Sequence, residues 1–456
     1  MHPENPRYFL FRGQPTVLVT SAEHYGAVLN ADFDYLPYLD ELQARGLNLT
    51  RTFAGPYREE TGISQLPDNS LAPRRPASYV APWARTSEGG AADGGAKFDL
   101  AAWDPAYFER LKAFVAEAGR RGIVVELTFF SAMYFDHRWR LSPLHAGNNV
   151  NGVGHVAYTE AHTLAEPALV EVHEKLVAKV AQELRGADNL YYEIINEPYA
   201  KPGPAGGLAF DTLATPASLQ WQDRMIDALV AAEAPFEHKH LIAQNLSGEA
   251  VEVPEPNPHV SVLNFHYGSS ESARLNARWR RPVVLDETGG LGTADAPYRR
   301  QAWAFILAGG GGFNHLDLTF TTDREDGTYH PLPPDALGGG GPSLRAQLGI
   351  LKDFIHGFDV VAMAPDHAVV RGGVPEGAQT YVLSQPGHAY AIYLDGGSRA
   401  TLTLELPPGA YRAEWVDTKT GAVARADSVA GGTGTLASPP YVDDIALRLR
   451  RVATPP

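Results

Sequence analysis

Short apolar runs alternate with amphipathic helical patterns from about residue 16 to residue 358, which limits the chain to strand-helix units. The run 123–130 is apolar over nearly its whole length, as expected of a parallel strand covered on both faces. Before it, Asp104-Pro105 begins a helical pattern with a capping residue and a proline at the first helical position. Eight strand-then-helix passages, the fifth irregular, favour a closed (β/α)8 TIM barrel over an open doubly wound sheet.

The predicted barrel domain covers residues 1–360. Its strands are expected near residues 16–20, 47–53, 123–130, 189–195, 240–244, 260–265, 282–286 and 311–318. Besides the helix that Asp104 begins, helices are expected near residues 33–45, 168–185, 217–233, 270–278, 296–308 and 343–357.

The pattern changes after residue 360. Leu402, Leu404 and Leu406 alternate with polar residues, and Pro407-Pro408-Gly409 provides a turn before the next alternating run. Period-two strands separated by turns at short spacing predict a small antiparallel β-sandwich over residues 361–456. No catalytic constellation occurs in this domain, so we expect it to brace the barrel, with polysaccharide binding as the alternative.

A long segment rich in proline and glycine, residues 54–102, interrupts the barrel pattern. Loops of this length in compact domains are usually functional or disordered. Its aromatic residues Tyr57, Tyr79 and Trp83 either stack on a sugar or pin the loop to the barrel.

Bulk composition excludes several classes of function. The net charge is −15 and no dense Lys/Arg run occurs, so neither nucleic acid nor an anionic membrane is an expected partner. The absence of cysteine rules out disulfides and thiolate catalysis, and no apolar stretch is long enough to span a membrane.

The 16 histidines show no metal-ligand spacing, and we expect neither a metal nor a cofactor. The first residues lack a signal-peptide pattern, which fits a cytoplasmic protein or a processed secreted one, and the oligomeric state stays open.

Two predicted strands run into a glutamate at their carboxyl ends. Strand four ends in Ile195-Asn196-Glu197-Pro198 and strand seven in Leu285-Asp286-Glu287. These strands lie on opposite sides of a barrel, and the carboxyl ends of its strands carry the active site. Two carboxylates facing each other across a sugar-sized cleft are what glycosidic cleavage requires. Glu197 and Glu287 are therefore the predicted catalytic pair.

Other polar residues at strand ends are candidates for the same cleft. Asn196 is placed to bind a sugar hydroxyl, and Tyr267 to hydrogen-bond Glu287 and keep it ionised. His24, Tyr25, His315 and Asp317 either line the sugar site or are ordinary polar groups at a barrel mouth. Glu193 is interpreted as structural, and strand alternation predicts that Asp286 points away from Glu287.

The Asn196-Glu197-Pro198 motif, Glu287 and the strand-six pair His266-Tyr267 resemble those of the retaining glycosidases of glycoside hydrolase clan A, family 5 most closely. The resemblance covers about residues 10–358. It implies that Glu197 is the acid/base and Glu287 the nucleophile, that His266 and Tyr267 contribute to the sugar site, and that Arg51 lies near the nucleophile. Strand eight departs from the family pattern, because Gly312-Phe313-Asn314-His315-Leu316-Asp317-Leu318 has no tryptophan to serve as a sugar platform.

The sequence thus predicts a retaining β-glycoside hydrolase that acts on oligosaccharides, polysaccharides or simple glycosides. A transglycosylase would use the same residues. An inactive carbohydrate-binding protein on the same barrel would have no need of a matched acid and nucleophile.

Overall fold

The computed structural model describes residues 1–62, 68–333 and 336–452. Strands β1 to β8 are Leu18–Ala22, Leu49–Phe53, Val124–Ser131, Leu190–Asn196, Leu241–Ser247, Val262–His266, Val283–Glu287 and Gly312–Leu316. They pair in parallel in the order β1-β8-β7-β6-β5-β4-β3-β2, so the predicted (β/α)8 barrel is confirmed.

Asn48 connects β1 to β2, where the sheet closes on itself. Its backbone N–H donates to the carbonyl of Val19 at 3.2 Å. Its side chain accepts from the N–H of Val19 at 2.8 Å and donates to the carbonyl of Val17 at 3.0 Å. One asparagine side chain therefore supplies hydrogen bonds that a strand ladder would otherwise make.

Helices surround the barrel. Helices α1 to α8 are Tyr35–Ala44, Pro105–Arg120, the single turn Asp136–Trp139, Pro167–Leu184, Pro216–Glu233, Ser270–Asn276, Asp295–Leu307 and Pro342–His356. Asp104 caps α2 by accepting from the N–H of Ala106, as its sequence position predicts. Residues 248–261, all of them described, contain no helix, which accounts for the irregular fifth unit.

The segment predicted as a long loop after β2 contains an antiparallel hairpin of strands Trp83–Gly89 and Ala96–Trp103. Trp83 is 1% exposed and stacks on Trp103 with 6.2 Å between ring centroids, and Tyr57 and Tyr79 are also buried. These aromatic rings therefore pin the segment to the barrel and do not face a sugar. Residues 63–67 of the predicted loop lie outside the described residues.

The C-terminal domain is antiparallel, as predicted. Strands β9 to β15 are Ala364–Pro365, Val370–Gly372, Gln379–Gln385, Ala389–Asp395, Thr401–Val416, Val423–Ala437 and Asp444–Arg451. They form one sheet in the order β9-β11-β12-β15-β13-β10, with β14 paired to β13. The first half of β13 pairs with β10 and the second half with β15, so the sheet folds over its own apolar core.

The two domains share a buried interface. Trp303 of α7 stacks on Tyr393 of β12, with 5.5 Å between ring centroids. Nearby, the guanidinium of Arg299 donates to both carboxylate oxygens of Asp444 on β15, and both side chains are almost fully buried. The C-terminal domain therefore braces α7 of the barrel.

No helix among the described residues is both long and apolar enough to cross a membrane.

Candidate active site

The carboxyl ends of the barrel strands border a cleft of about 380 Å³. Its polar lining consists of His24, Glu59, Tyr134, Arg138, Glu197, Tyr267 and Glu287. Leu208 and Phe210, after β4, and Leu337, after β8, add apolar residues to the lining, and these residues are 38–58% exposed. At the strand-eight position where the sequence lacks a tryptophan, Leu316 lines the cleft.

The two predicted glutamates meet in this cleft. Glu197 directly follows β4 and Glu287 ends β7. One carboxylate oxygen of each lies within 4.8 Å of the other, and both residues are more than nine-tenths buried. The barrel thus brings together two carboxylates that are 90 residues apart in the chain.

Glu287 is held by hydrogen bonds and positive charge. Nη1 of Arg51 donates to Oε2 at 3.1 Å, and the Tyr267 hydroxyl donates to Oε1. Burial alone would raise the pKa of Glu287, but the charges of His266 and Arg51 and the Tyr267 hydrogen bond outweigh it, and the pKa is lowered. Glu287 is therefore ionised at neutral pH, as a nucleophile must be.

Glu197 has different neighbours. The Tyr134 hydroxyl donates to its Oε2 at 2.6 Å, and Nδ1 of His266 lies 3.1 Å from its Oε1. The backbone N–H of Glu197 donates to Asn245 at 3.1 Å, which fixes the turn after β4. Sequence reasoning missed Tyr134, although a tyrosine four positions after the predicted third strand was a usable signal.

His266 lies beneath the cleft, between carboxylates. Its Nε2 is 3.3 Å from Asp286 and its Nδ1 faces Glu197, so both ring nitrogens have an acceptor. Burial alone would lower the pKa of His266, yet the charges of Asp286 and Glu287 raise it well above its ordinary value. The raised pKa favours the imidazolium form, and the ring is fully buried, so it does not face a sugar.

The prediction that Asp286 points away from Glu287 is wrong. Oδ2 of Asp286 lies 3.4 Å from Nη2 of Arg51, and Nη1 of the same guanidinium contacts Glu287. The cause is a β-bulge: Phe265 pairs with Leu285, but His266 pairs with Glu287, so Asp286 is an extra residue. A bulge breaks side-chain alternation and lets both carboxylates face the barrel interior.

Arg51 organises the floor of the cleft. Its guanidinium is fully buried, lies 4.6 Å from the ring of Tyr25, and donates to Glu193 and to Asn196 Oδ1. Glu193 thus has the structural place expected of it. Tyr25 packs under Arg51 against Phe53 and, among the described residues, is not part of the cleft lining.

Asn196 contacts protein at both polar atoms. Besides accepting from Arg51, it donates through Nδ2 to the Tyr134 hydroxyl at 2.7 Å and to Ser131 Oγ at 3.3 Å. Its amide therefore orients Tyr134, which in turn holds Glu197.

His315 and Asp317 do not line the cleft, contrary to expectation. Asp317 accepts from Nη1 of Arg345 on α8 at 2.7 Å, and from Ser21 Oγ at 2.9 Å. His315 packs on Tyr298, with 4.1 Å between ring centroids. Because side chains alternate along β8 and just beyond it, Leu316 faces the cleft and its two neighbours face the helix layer.

Several residues after strand ends adopt left-handed backbone conformations. Tyr25, Tyr134, Glu197 and Tyr267 have φ between +48° and +62°. Such conformations cost non-glycine residues about 1–3 kcal/mol each and cluster at functional sites. The same backbone turns aim Tyr134, Glu197 and Tyr267 into the cleft.

Two groups of side chains are close enough to share a metal ion: Glu193, His266 and Asp286, and Glu197, His266 and Glu287. Both depend on His266, whose nitrogens each already face a carboxylate, and the Arg51 cation lies among the same acids. The Arg51 guanidinium contacts Glu193 and Asp286 of the first group and Glu287 of the second, so it competes with a metal ion for these carboxylates.

No protein-family model matches the sequence, and no curated protein matches it. Solved structures do match the fold. A structure described as a glycoside hydrolase aligns with a TM-score of 0.63 over 99% of this chain and 96% of that one, at 12% identity. A glycoside hydrolase family 5 protein from Bacteroides vulgatus also gives a TM-score of 0.63, over 99% and 92% of the two chains, at 12% identity. The chain thus has the fold of a family 5-like glycoside hydrolase, as its motifs predict.

Proposed function

We propose that this protein is a retaining β-glycoside hydrolase in which Glu197 is the acid/base and Glu287 the nucleophile. The observation that carries the proposal is the approach of the two carboxylates, within 4.8 Å between their nearest ligand oxygens, at the lining of one cleft. Retaining glycosidases hold their carboxyl groups about 5–5.5 Å apart, whereas inverting ones leave about 6.5–9.5 Å for a water molecule. An approach within 4.8 Å between one oxygen of each residue is compatible with the retaining spacing and with direct attack by Glu287. The shared fold supports the same reaction class.

In the first step, a carboxylate oxygen of Glu287 attacks the anomeric carbon. The bond from that carbon to the leaving oxygen breaks, and Glu197 gives its proton to the leaving group. Glu287 becomes a neutral glycosyl ester and Glu197 becomes ionised. Arg51 and Tyr267 hold Glu287 in one orientation before the attack.

In the second step, ionised Glu197 takes a proton from water as the water oxygen attacks the anomeric carbon. The ester bond to Glu287 breaks, and both glutamates return to their starting states. Two inversions at the anomeric carbon leave the β-configuration unchanged. A sugar hydroxyl in place of water would give transglycosylation by the same residues.

Azide rescue tests the two roles separately. Wild type, Glu197→Ala and Glu287→Ala are assayed on a panel of aryl β-glycosides, with and without azide. We expect azide to restore Glu287→Ala with formation of an α-glycosyl azide, and Glu197→Ala with formation of a β-glycosyl azide. Glu174→Ala is the control, since Glu174 pairs with Arg224 on the helix surface.

Two results would contradict the proposal. Exchange of the two azide products between the variants would reverse the assigned roles. If wild type cleaves no glycoside while both variants bind sugars as wild type does, the protein is a carbohydrate-binding protein on an inactive barrel.

A further inference from the structure

Glu59 is a third carboxylate in the cleft lining, and the proposed reaction does not use it. It follows β2, and its side chain is only 6% exposed. Its Oε1 accepts from the Tyr57 hydroxyl at 3.0 Å and from Nη1 of Arg138 at 3.5 Å. Its Oε2 has no hydrogen-bond partner among the described residues. A buried carboxylate oxygen without a partner is costly unless a ligand supplies a donor.

Two further groups beside Glu59 also have unused hydrogen-bonding atoms within the described part of the chain. Nε2 of His24 lies 3.6 Å from the free Oε2 of Glu59, and Nδ1 of His24 has no partner. Nε of Arg138 is likewise buried without a hydrogen bond and lies 3.7 Å from Oε2 of Glu60. Together, His24, Glu59 and Arg138 line the cleft with hydrogen-bonding groups, and the free Oε2 of Glu59 and the ring of His24 match sugar hydroxyls.

These three residues belong to a wall that closes one end of the cleft. His24, Glu59 and Arg138 follow the neighbouring strands β1, β2 and β3. Nη1 of Arg138 donates to the Tyr57 hydroxyl at 2.6 Å, which ties the third segment to the second. We call His24, Glu59 and Arg138 the end wall.

Other contacts fix the end wall in place. Ser142 Oγ donates to the carbonyl of Pro56 at 2.7 Å, and the backbone N–H of Glu59 donates to the carbonyl of Leu71 at 2.8 Å. Gly26 lies so close to Ser70 that a Cβ there would be 2.1 Å from the Ser70 carbonyl carbon. Among the described residues, these contacts hold the segments after β1, β2 and β3 directly against one another at this end of the cleft.

The rest of the cleft indicates which part of a substrate meets the end wall. Tyr25, next to His24, packs under Arg51, which contacts Glu287, so the wall adjoins the nucleophile. Leu208 and Phe210, in the segment after β4, contribute exposed side chains elsewhere in the cleft lining. Because the end wall adjoins Glu287, the sugar that Glu287 attacks lies beside it.

We infer that the end wall binds the free hydroxyls of one neutral sugar at the non-reducing end, which makes the enzyme exo-acting. This inference rests on the proposed glycosidase function and names its substrate class. The free oxygen of Glu59 accepts from a sugar hydroxyl, while a uronic acid would place a second carboxylate against it. A sugar extended at the hydroxyl that faces Glu59 does not fit.

Product analysis with wild type is the first test. The aryl β-glycoside panel identifies the sugar, and the enzyme is then given a tetrasaccharide of it. We expect monosaccharide and trisaccharide as the only early products, and no cleavage when the non-reducing end is capped by O-methylation. Early release of disaccharide, or cleavage of the capped chain, would overturn the inference and leave the proposed glycosidase function intact.

Glu59→Gln, with Glu174→Gln as the control, tests the residue itself. Wild type and variants are compared on the aryl glycoside and on its 3-, 4- and 6-deoxy forms. A hydrogen bond to a charged group predicts that one deoxy form lowers kcat/KM of wild type by roughly 10- to 150-fold. In Glu59→Gln the same deoxy form should lower kcat/KM by less than about 3-fold, because the uncharged amide of the variant already makes a weaker hydrogen bond to the sugar hydroxyl than the carboxylate does.

Equal losses in wild type and Glu59→Gln would overturn the role of Glu59. If Glu59→Gln does not fold, the wild-type deoxy series and the tetrasaccharide products still decide the inference. If wild type cleaves no glycoside at all, the proposed function fails first and the exo inference fails with it.

Discussion

Nδ1 of His266 lies 3.1 Å from Oε1 of Glu197, and no part of the imidazole is accessible to solvent. The other ring nitrogen faces Asp286. The same Nδ1 lies 3.8 Å from Oε1 of Glu287, the proposed nucleophile. These carboxylates favour the protonated form of the ring, and the pKa of His266 is raised well above its ordinary value.

We predict that His266 stays doubly protonated well above neutral pH. Selective ¹⁵N-histidine labelling would show imidazolium signals for His266 at pH 8, identified by their loss in His266→Gln. The side chain of His238, 89% exposed, provides the solvent-accessible reference. A neutral tautomer of His266 at pH 7 would contradict the assignment.

Protonation of His266 also makes the stability of the folded protein depend on pH. The pKa of His266 is higher in the folded state than in the unfolded state. Protonated His266 therefore contributes fully to the free energy of unfolding below the unfolded-state pKa of about 6.5, and this contribution is lost as the pH rises through the folded-state pKa. Urea unfolding of wild type should therefore show a free energy of unfolding that falls on the alkaline side. The fall should be smaller in His266→Gln, and an equal fall in both would show that other groups cause it.

Arg51→Met should destabilise the barrel. The substitution leaves the buried carboxylates of Glu193, Asp286 and Glu287 without their cation, and breaking a buried ion pair costs about 3–5 kcal/mol. Urea unfolding measures the loss. Arg224→Met, which removes an exposed pair with Glu174, should change stability little. Similar stabilities for the two variants would mean that Arg51 does not hold the site together.

Tyr267→Phe should reduce activity without unfolding the protein. It removes only the hydroxyl that donates to Glu287, and hydrogen bonds to charged groups contribute about 1.5–3 kcal/mol. We expect kcat/KM for an aryl glycoside to fall by roughly 10- to 150-fold with little change in melting temperature. Tyr381→Phe in the C-terminal domain is the matched control, and unchanged kinetics in Tyr267→Phe would remove Tyr267 from the site.

Asp444→Ala should destabilise both domains together. Asp444 accepts from Arg299 of the barrel and from the hydroxyls of Tyr393 and Thr418. Its loss removes the buried carboxylate that pairs with Arg299 and leaves the hydrogen bond to Gln347 and the more distant Asp443, and breaking a buried ion pair costs about 3–5 kcal/mol. Calorimetry should show one unfolding transition in wild type, shifted as a whole in the variant but not in the surface control Asp427→Ala. Two separate transitions in wild type would contradict the bracing role.

The barrel was predictable because its strands are apolar runs and its helices carry clear starting signals such as Asp104-Pro105. Glu197 and Glu287 were visible because each stands at the carboxyl end of such a run. The orientation of Asp286 was not, since the bulge in β7 depends on how β6 pairs with it.

The position of Glu59 in the cleft also could not be predicted from the sequence. It lies in a segment whose composition indicates only a loop, and its place in the cleft depends on contacts with Tyr57 and Arg138. His315 and Asp317, in contrast, were candidates for the cleft from the sequence but do not line it. They stand at a strand end like true site residues, but Asp317 pairs with Arg345 of α8 and His315 packs on Tyr298 of α7, so both face the helix layer.

Trapping the covalent intermediate tests the central claim most directly. The enzyme would be incubated with the dinitrophenyl 2-deoxy-2-fluoro β-glycoside of the sugar it cleaves, digested with pepsin and mapped by mass spectrometry. We expect a single glycosyl adduct on Glu287 and a β-configured first product by NMR. An adduct on another residue, or an α-configured product without any adduct, would contradict it.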